Sequence, residues 1–159
     1  MEKAESLIKD LCKAFAFIEG HTKIQRSRRI YAEIPLENSS SLKEVLIYLR
    51  NKKNFTFLCT ITGLDSGENF EMIYHLADDA GVLINLKSFT PRSRPVIESV
   101  TPVFTGAVFY ERELKDLFGI EVKGLPEGRR YPLPDNWPEG QYPLRKDWKK
   151  PDENPAPKA

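Results

Sequence analysis

The sequence has little of what most small enzymes are built around. It contains two cysteines, Cys12 and Cys59, and two histidines, His21 and His75. The cysteines lie far apart in periodic segments and form no CxxC pair, so each reads as a small buried hydrophobe. The histidines have no companion at metal-ligand spacing, and His75, inside a strand-like pattern, reads as structural. No glycine-rich phosphate loop and no HExxH helix is present. The longest apolar run, Ala14-Phe15-Ala16-Phe17-Ile18, is far too short to span a bilayer. Glu2, Lys3, Glu5, Lys9 and Asp10 interrupt any signal-peptide pattern, which makes the expected location cytoplasmic. Neither sign of charge dominates: 24 Lys and Arg stand against 23 Asp and Glu. That balance argues against a chain devoted to nucleic-acid or membrane-surface binding.

What is present is an ordinary apolar content arranged with clear periodicity. Residues 3–18 place Ala4, Leu7, Ile8, Leu11, Phe15 and Ile18 on one helical face, with Gly20 as a C-cap. The polar stretch from His21 to Ser27 reads as a loop. Arg28 to Ile34 alternates as a half-buried strand ending at Pro35. Ser41-Leu42-Lys43-Glu44 has the form of a capping box opening a second helix, with Leu42, Val45, Leu46 and Leu49 in a stripe. Three strands follow, Asn54 to Thr62, Phe70 to Ala77 and Val82 to Phe89, joined by short Asp/Gly turns. Pro91-Arg92-Ser93-Arg94-Pro95 reads as irregular. A last helix follows, with Thr101 or Thr105 as cap and Pro102 in its first turn. The order implies an α+β fold: a two-layer domain with a mixed or antiparallel four-stranded sheet, helices packed on it, and an extended Pro-rich C-terminal tail. The boundaries read as a domain over 1–120, a tail over 121–148 and a disordered terminus over 149–159.

The last helix carries Ala107, Tyr110, Leu114, Leu117 and Phe118 as its docking face. Glu111 with Lys115, and Arg112 with Asp116, stand four residues apart, a spacing that gives exposed ion pairs about 0.2–0.5 kcal/mol each. Val108 and Phe109 point elsewhere, as on a helix covered twice. Gly119 reads as a left-handed stop, with Ile120 folding back toward Leu114. Beyond it lie eight of the 12 prolines and both tryptophans. Regular structure is not expected there, nor a core of the segment's own. Aromatic and arginine anchors on a stiff backbone suit a segment that wraps a partner, since little entropy is lost on binding.

Several blocks fall in a recognisable order: Glu111-Arg112-Glu113, Asp116-Leu117-Phe118-Gly119-Ile120, Gly124, Pro126, Arg129-Arg130, Leu133-Pro134, Trp137 and Pro143-Leu144-Arg145-Lys146-Asp147-Trp148. Together they resemble the signature of the thirty-kilodalton subunit of respiratory complex I. Related chains occur in membrane-bound, energy-converting NiFe hydrogenases. The resemblance spans roughly residues 107–148. It departs where Leu125-Pro126-Glu127-Gly128 replaces a His-Pro-Asp-Leu block, and where about two extra residues separate Trp137 from Pro143. These departures favour a divergent, hydrogenase-like branch, with an NADH–quinone or other donor–quinone oxidoreductase as the alternative.

The resemblance implies an accessory scaffold subunit of the peripheral arm that binds no cofactor itself, in a complex containing Fe-S clusters and possibly NiFe. Its partners would be the hydrogenase-type large subunit and the Fe-S small subunit, with the membrane arm met only indirectly, on the cytoplasmic side. The residues expected at the partner interface are Phe109, Glu111, Arg112, Glu113, Asp116, Phe118, Gly119, Arg129, Arg130, Tyr131, Trp137, Tyr142, Pro143, Leu144, Arg145, Lys146, Asp147 and Trp148. Two other readings compete. Gln25-Arg26-Ser27-Arg28-Arg29 and the Pro91–Pro95 cluster, with Tyr31 and Phe55 on strands, resemble an RNA-binding surface, though solvated loops explain them more simply. Glu111 and Glu113 as paired catalytic acids fail on geometry, because residues two apart on a helix do not face each other.

Overall fold

The computed structural model describes residues 2–150. The first periodic segment forms α1 (Glu2–Ala14), and a 3-10 turn over Ala16–Ile18 ends it in place of a continuous helix to residue 18. The segment read as a loop contains a strand, β1 (Thr22–Arg26), paired antiparallel with β2 (Arg29–Glu33). β1 is an edge strand with no fully buried side chain, so no apolar alternation marks it. Next come α2 (Leu42–Lys53), β3 (Phe57–Asp65), β4 (Asn69–Ala77) and β5 (Leu83–Pro91). The Ser41 capping box does not form. A 3-10 turn over Leu36–Ser41 runs directly into α2, leaving Ser41 helical in φ and ψ with no side-chain cap.

The main sheet has five strands in the order β1-β2-β5-β4-β3, one more than the sequence indicates. It is mixed: β2 runs parallel to β5, and the other pairs are antiparallel. Alternation places Ile30, Ala32, Met72, Tyr74, Leu76, Ile84 and Leu86 on the inner face. There they pack with Leu7 and Leu11 of α1 and Val45, Leu46 and Leu49 of α2. The opposite face carries a polar row. His75 bridges Thr62 Oγ1 at 3.0 Å and Asn85 Oδ1 at 2.7 Å, in keeping with a structural role. Two expectations need correction. Cys59 is exposed, because the β3–β4 register breaks between Leu58 and Thr60. Phe55 is buried in the core and offers nothing to a nucleic acid.

β6 (Val96–Glu98) follows the arginine-rich turn and pairs in parallel with β7 (Glu121–Lys123), forming a small second sheet on either side of α3 (Ala107–Phe118). The tail segment therefore begins with a regular strand. Neither Thr101 nor Thr105 caps α3 through its side chain; Gly106 occupies the N-cap, and Pro102 lies in a turn before the helix. α3 packs on β3, where a Cβ at Gly63 would come within 2.6 Å of both Leu114 and Phe118. No helix among the described residues is long and apolar enough to cross a membrane.

Candidate functional site

The charges of α3 do not form the exposed i, i+4 pairs that their spacing allows. Glu111 is 0% exposed; it accepts the Val100 N–H at 2.6 Å and the Ser99 hydroxyl at 2.7 Å. Burial raises its pKa, although these two hydrogen bonds favour the charged form. Arg112 turns the other way and donates to the Pro126 and Glu127 carbonyls at 3.3 and 3.1 Å. Asp116 receives Arg130 Nε at 3.2 Å on both carboxylate oxygens. One helix thus pins the loop before it with Glu111 and the tail after it with Arg112 and Asp116.

The helix end shows why the tail lies where it does. Gly119 takes φ +68° and closes the helix, with its own N–H on the Lys115 carbonyl and the Ile120 N–H on that of Leu114. The remaining last-turn carbonyls need donors from elsewhere. The tail brings two of them. Leu144 N–H reaches the Leu117 carbonyl at 3.1 Å, and Arg145 Nε reaches that of Phe118 at 2.6 Å. The Arg145 guanidinium also complements the negative end of the helix dipole. It lies 4.5 Å from the centre of the Tyr142 ring and 5.2 Å from that of Phe70. Gly119 is required twice over, since a Cβ there would come 2.5 Å from the Tyr142 ring.

A second anchor joins three distant segments. Asp65, at the end of β3, accepts Arg92 Nη1 and the backbone N–H of Lys146 on one oxygen, and the Gly67 N–H on the other. Arg92 also binds Asp147 in the tail. Burial alone would raise the Asp65 pKa, but Arg92 and the two N–H donors outweigh it and hold the carboxyl at about 2. Arg92 belongs to the cluster that resembled an RNA-binding turn; it is engaged in this clamp.

Nor is the tail without packing of its own. Trp137 and Trp148 stack with centroids 6.2 Å apart, and Gln141 accepts both indole N–H groups. Arg130 bridges this pair to α3 through the Trp137 carbonyl at 2.8 Å. Where the sequence placed four arginines against a partner, the structure gives Arg112, Arg130 and Arg145 acceptors on α3 or the tail, while Arg129 meets Asp135 in an exposed pair. The expected interface residues therefore divide. Glu111 and Phe118 are internal, and Asp116, Gly119, Arg130, Tyr142 and Arg145 join helix to tail. Glu113 and Pro143 are half-buried, and Lys146 contributes its backbone to the clamp. Phe109, Tyr131 and Leu144 remain 55%, 46% and 52% exposed, and the first two make an edge-on ring contact at 5.8 Å. Beside them a cleft of about 810 Å³ opens between α3 and the tail, lined by Arg112, Lys115, Arg130, Tyr131 and Tyr142, among others. The sequence reading missed Asp65, Arg92 and Gln141, for which no local pattern exists.

The chain is matched in known proteins over most of its length. Residues 37–154 match the family described as respiratory-chain NADH dehydrogenase, 30 Kd subunit. The chain belongs to that family. Among its relatives, the C-type subunit of the F(420)H(2) dehydrogenase of Methanosarcina mazei is 36% identical over 148 residues, covering 91% of each chain. The beta subunit of the membrane-bound hydrogenase of Pyrococcus furiosus is 27% identical and covers 94% of this chain and 88% of its own. In the C/D-type subunit of the NADH-quinone oxidoreductase of Phocaeicola vulgatus, 39% identical over 120 residues, this 30 Kd region takes up 22% of a longer chain. Among solved structures, the trypsin-resistant fragment of Nqo5 superposes with a TM-score of 0.64 at 25% identity, covering 78% of this chain and 98% of the fragment. A chain of the membrane-bound sulfane sulfur reductase, an archaeal respiratory membrane complex, shares the fold with a TM-score of 0.78 at 24% identity, covering 92% and 86%. No group of three or more potential metal ligands occurs among the described residues of this 30 Kd family member.

Proposed function

We propose that this chain is an accessory subunit in the peripheral arm of a complex I-related membrane oxidoreductase, docking on the hydrogenase-type large subunit through α3 and the tail without holding a cofactor. The observation that carries this reading is the exposed Phe109 on α3 with Tyr131 and Leu144 on a tail whose polar groups are already fixed to α3 and β3. A preorganised surface with aromatic anchors loses little entropy on association. The C/D relatives support it, because there the same module is joined covalently to a further segment. The two closely covering relatives named above favour a donor other than NADH or a hydrogenase-type complex. The subunit would lie on the cytoplasmic side, held by its partners.

The test is a mild-detergent pull-down of this chain from its native membranes, with co-purifying chains identified and nickel, iron and flavin assayed. Iron with hydrogenase-type large and small chains is the expected result. Nickel would assign the hydrogenase branch, and iron without nickel a quinone- or other acceptor-linked branch. Recovery of the chain alone, free of metal, would contradict the reading.

A further inference from the structure

A second cavity of about 260 Å³ lies where the start of α2 meets β5, β6 and β7. Its lining includes Ser39, Lys43, Ser88, Glu98 and Lys123. Ser88 is 1% exposed, and its Oγ has no hydrogen-bond partner in the protein. Buried hydroxyls are almost always paired, so one left unpaired in the wall of a cavity points to a ligand atom that completes it. The surroundings set the sign of that ligand. Lys43, in the first turn of α2, lines the cavity together with Leu42. Lys43 and Lys123 carry two positive charges against the single negative charge of Glu98. Glu98 and Lys123 are register partners across β6 and β7, and Lys43, whose charge also acts on the buried Glu111, supplies the second positive charge of the lining. Ser39, whose hydroxyl makes only a long 3.5 Å contact to the Pro35 carbonyl, and the exposed Ser40 add further donors.

We propose that this cavity binds a phosphate group, with Ser88 Oγ at its base, Lys43 at its side and Lys123 at its mouth. The volume lies below the usual range for a whole organic ligand, about 300–1,000 Å³. The phosphate is therefore either free or the head of a larger molecule, such as a phospholipid, whose remainder stays outside. The site shares no lining residue with the cleft between α3 and the tail and does not depend on the docking reading.

Isothermal titration and thermal melting of the full chain in sodium phosphate, against sodium chloride at matched ionic strength, test the proposal. A second arm measures flotation with vesicles containing phosphatidic acid against vesicles of neutral lipid. Phosphate is expected to bind and raise the melting temperature. Ser88→Ala and Lys43→Gln should each weaken binding at least tenfold while leaving the far-ultraviolet spectrum unchanged. Binding to phosphatidic acid vesicles but not to free phosphate, lost in the same variants, would identify a lipid headgroup as the source. Binding of neither, or equal binding by Ser88→Ala and wild type, would overturn the site.

Discussion

At the scale of single residues, neighbouring charges on one helix have opposite fates. Glu111 lies inside and satisfies two buried donors. Arg112, one position on, makes exposed bonds to two carbonyls. Glu111→Ala would leave the Val100 N–H and the Ser99 hydroxyl without their acceptor, and a loss of roughly 3 kcal/mol is expected in denaturant unfolding. Arg112→Ala should cost about 1 kcal/mol or less, because its bonds are solvated. An equal loss in both variants would contradict this division.

Asp65 gives a prediction in pH. Its carboxyl sits at about 2 in the folded chain against an ordinary value of 3.8. A depressed folded-state value contributes stability that is fully present above the unfolded value and lost as pH falls through the folded one. That difference is worth roughly 2 kcal/mol. Both tryptophans of the chain lie in the tail, so their emission reports on its docking. The emission should shift as pH falls from about 4 toward 2, and Asp65→Asn should show the loosened spectrum already at neutral pH. A spectrum indifferent to Asp65→Asn would show that the clamp does not hold the tail.

At the scale of elements, α3 and the tail form one unit. The helix leaves carbonyls that Leu144 and Arg145 satisfy, and Gly119 allows the approach. Gly119→Ala should strain the left-handed stop and drive the Tyr142 ring away, exposing the tail to limited proteolysis with little change in helix content. A chain ended after Gly124 should fold and melt at a lower temperature than the full chain. One ended after Ile120 should lose more, because β7 and the buried Val122 go with the cut. Equal melting of the two truncations would contradict the role given to β7.

Much of this was legible in the sequence, where local rules decide the outcome. The apolar stripes of α1 and α2, the turns between β3, β4 and β5, and the stop at Gly119 all follow from periodicity or backbone freedom. β1 was not legible, because an exposed edge strand needs no apolar alternation. The capping box at Ser41 failed because a 3-10 turn feeds the helix and removes the extended N-cap geometry. The tail blocks were legible as a pattern. Their acceptors were not, since Asp65 and Lys146 stand 81 residues apart. The disordered terminus expected from residue 149 onward falls, from residue 151, outside the described residues.

At the scale of the whole molecule, a two-layer domain presents a helix and tail already locked together, with Phe109, Tyr131 and Leu144 left outside. The central claim is that this exposed group meets the large subunit. The most direct measurement places a photo-crosslinking amino acid at position 109, with position 23 on the edge strand β1 as control, in the native membranes. The account predicts a crosslink from position 109 to the hydrogenase-type large subunit and none from position 23. The absence of any crosslink from position 109 in a complex that still contains this chain, or the same products from both positions, would contradict it.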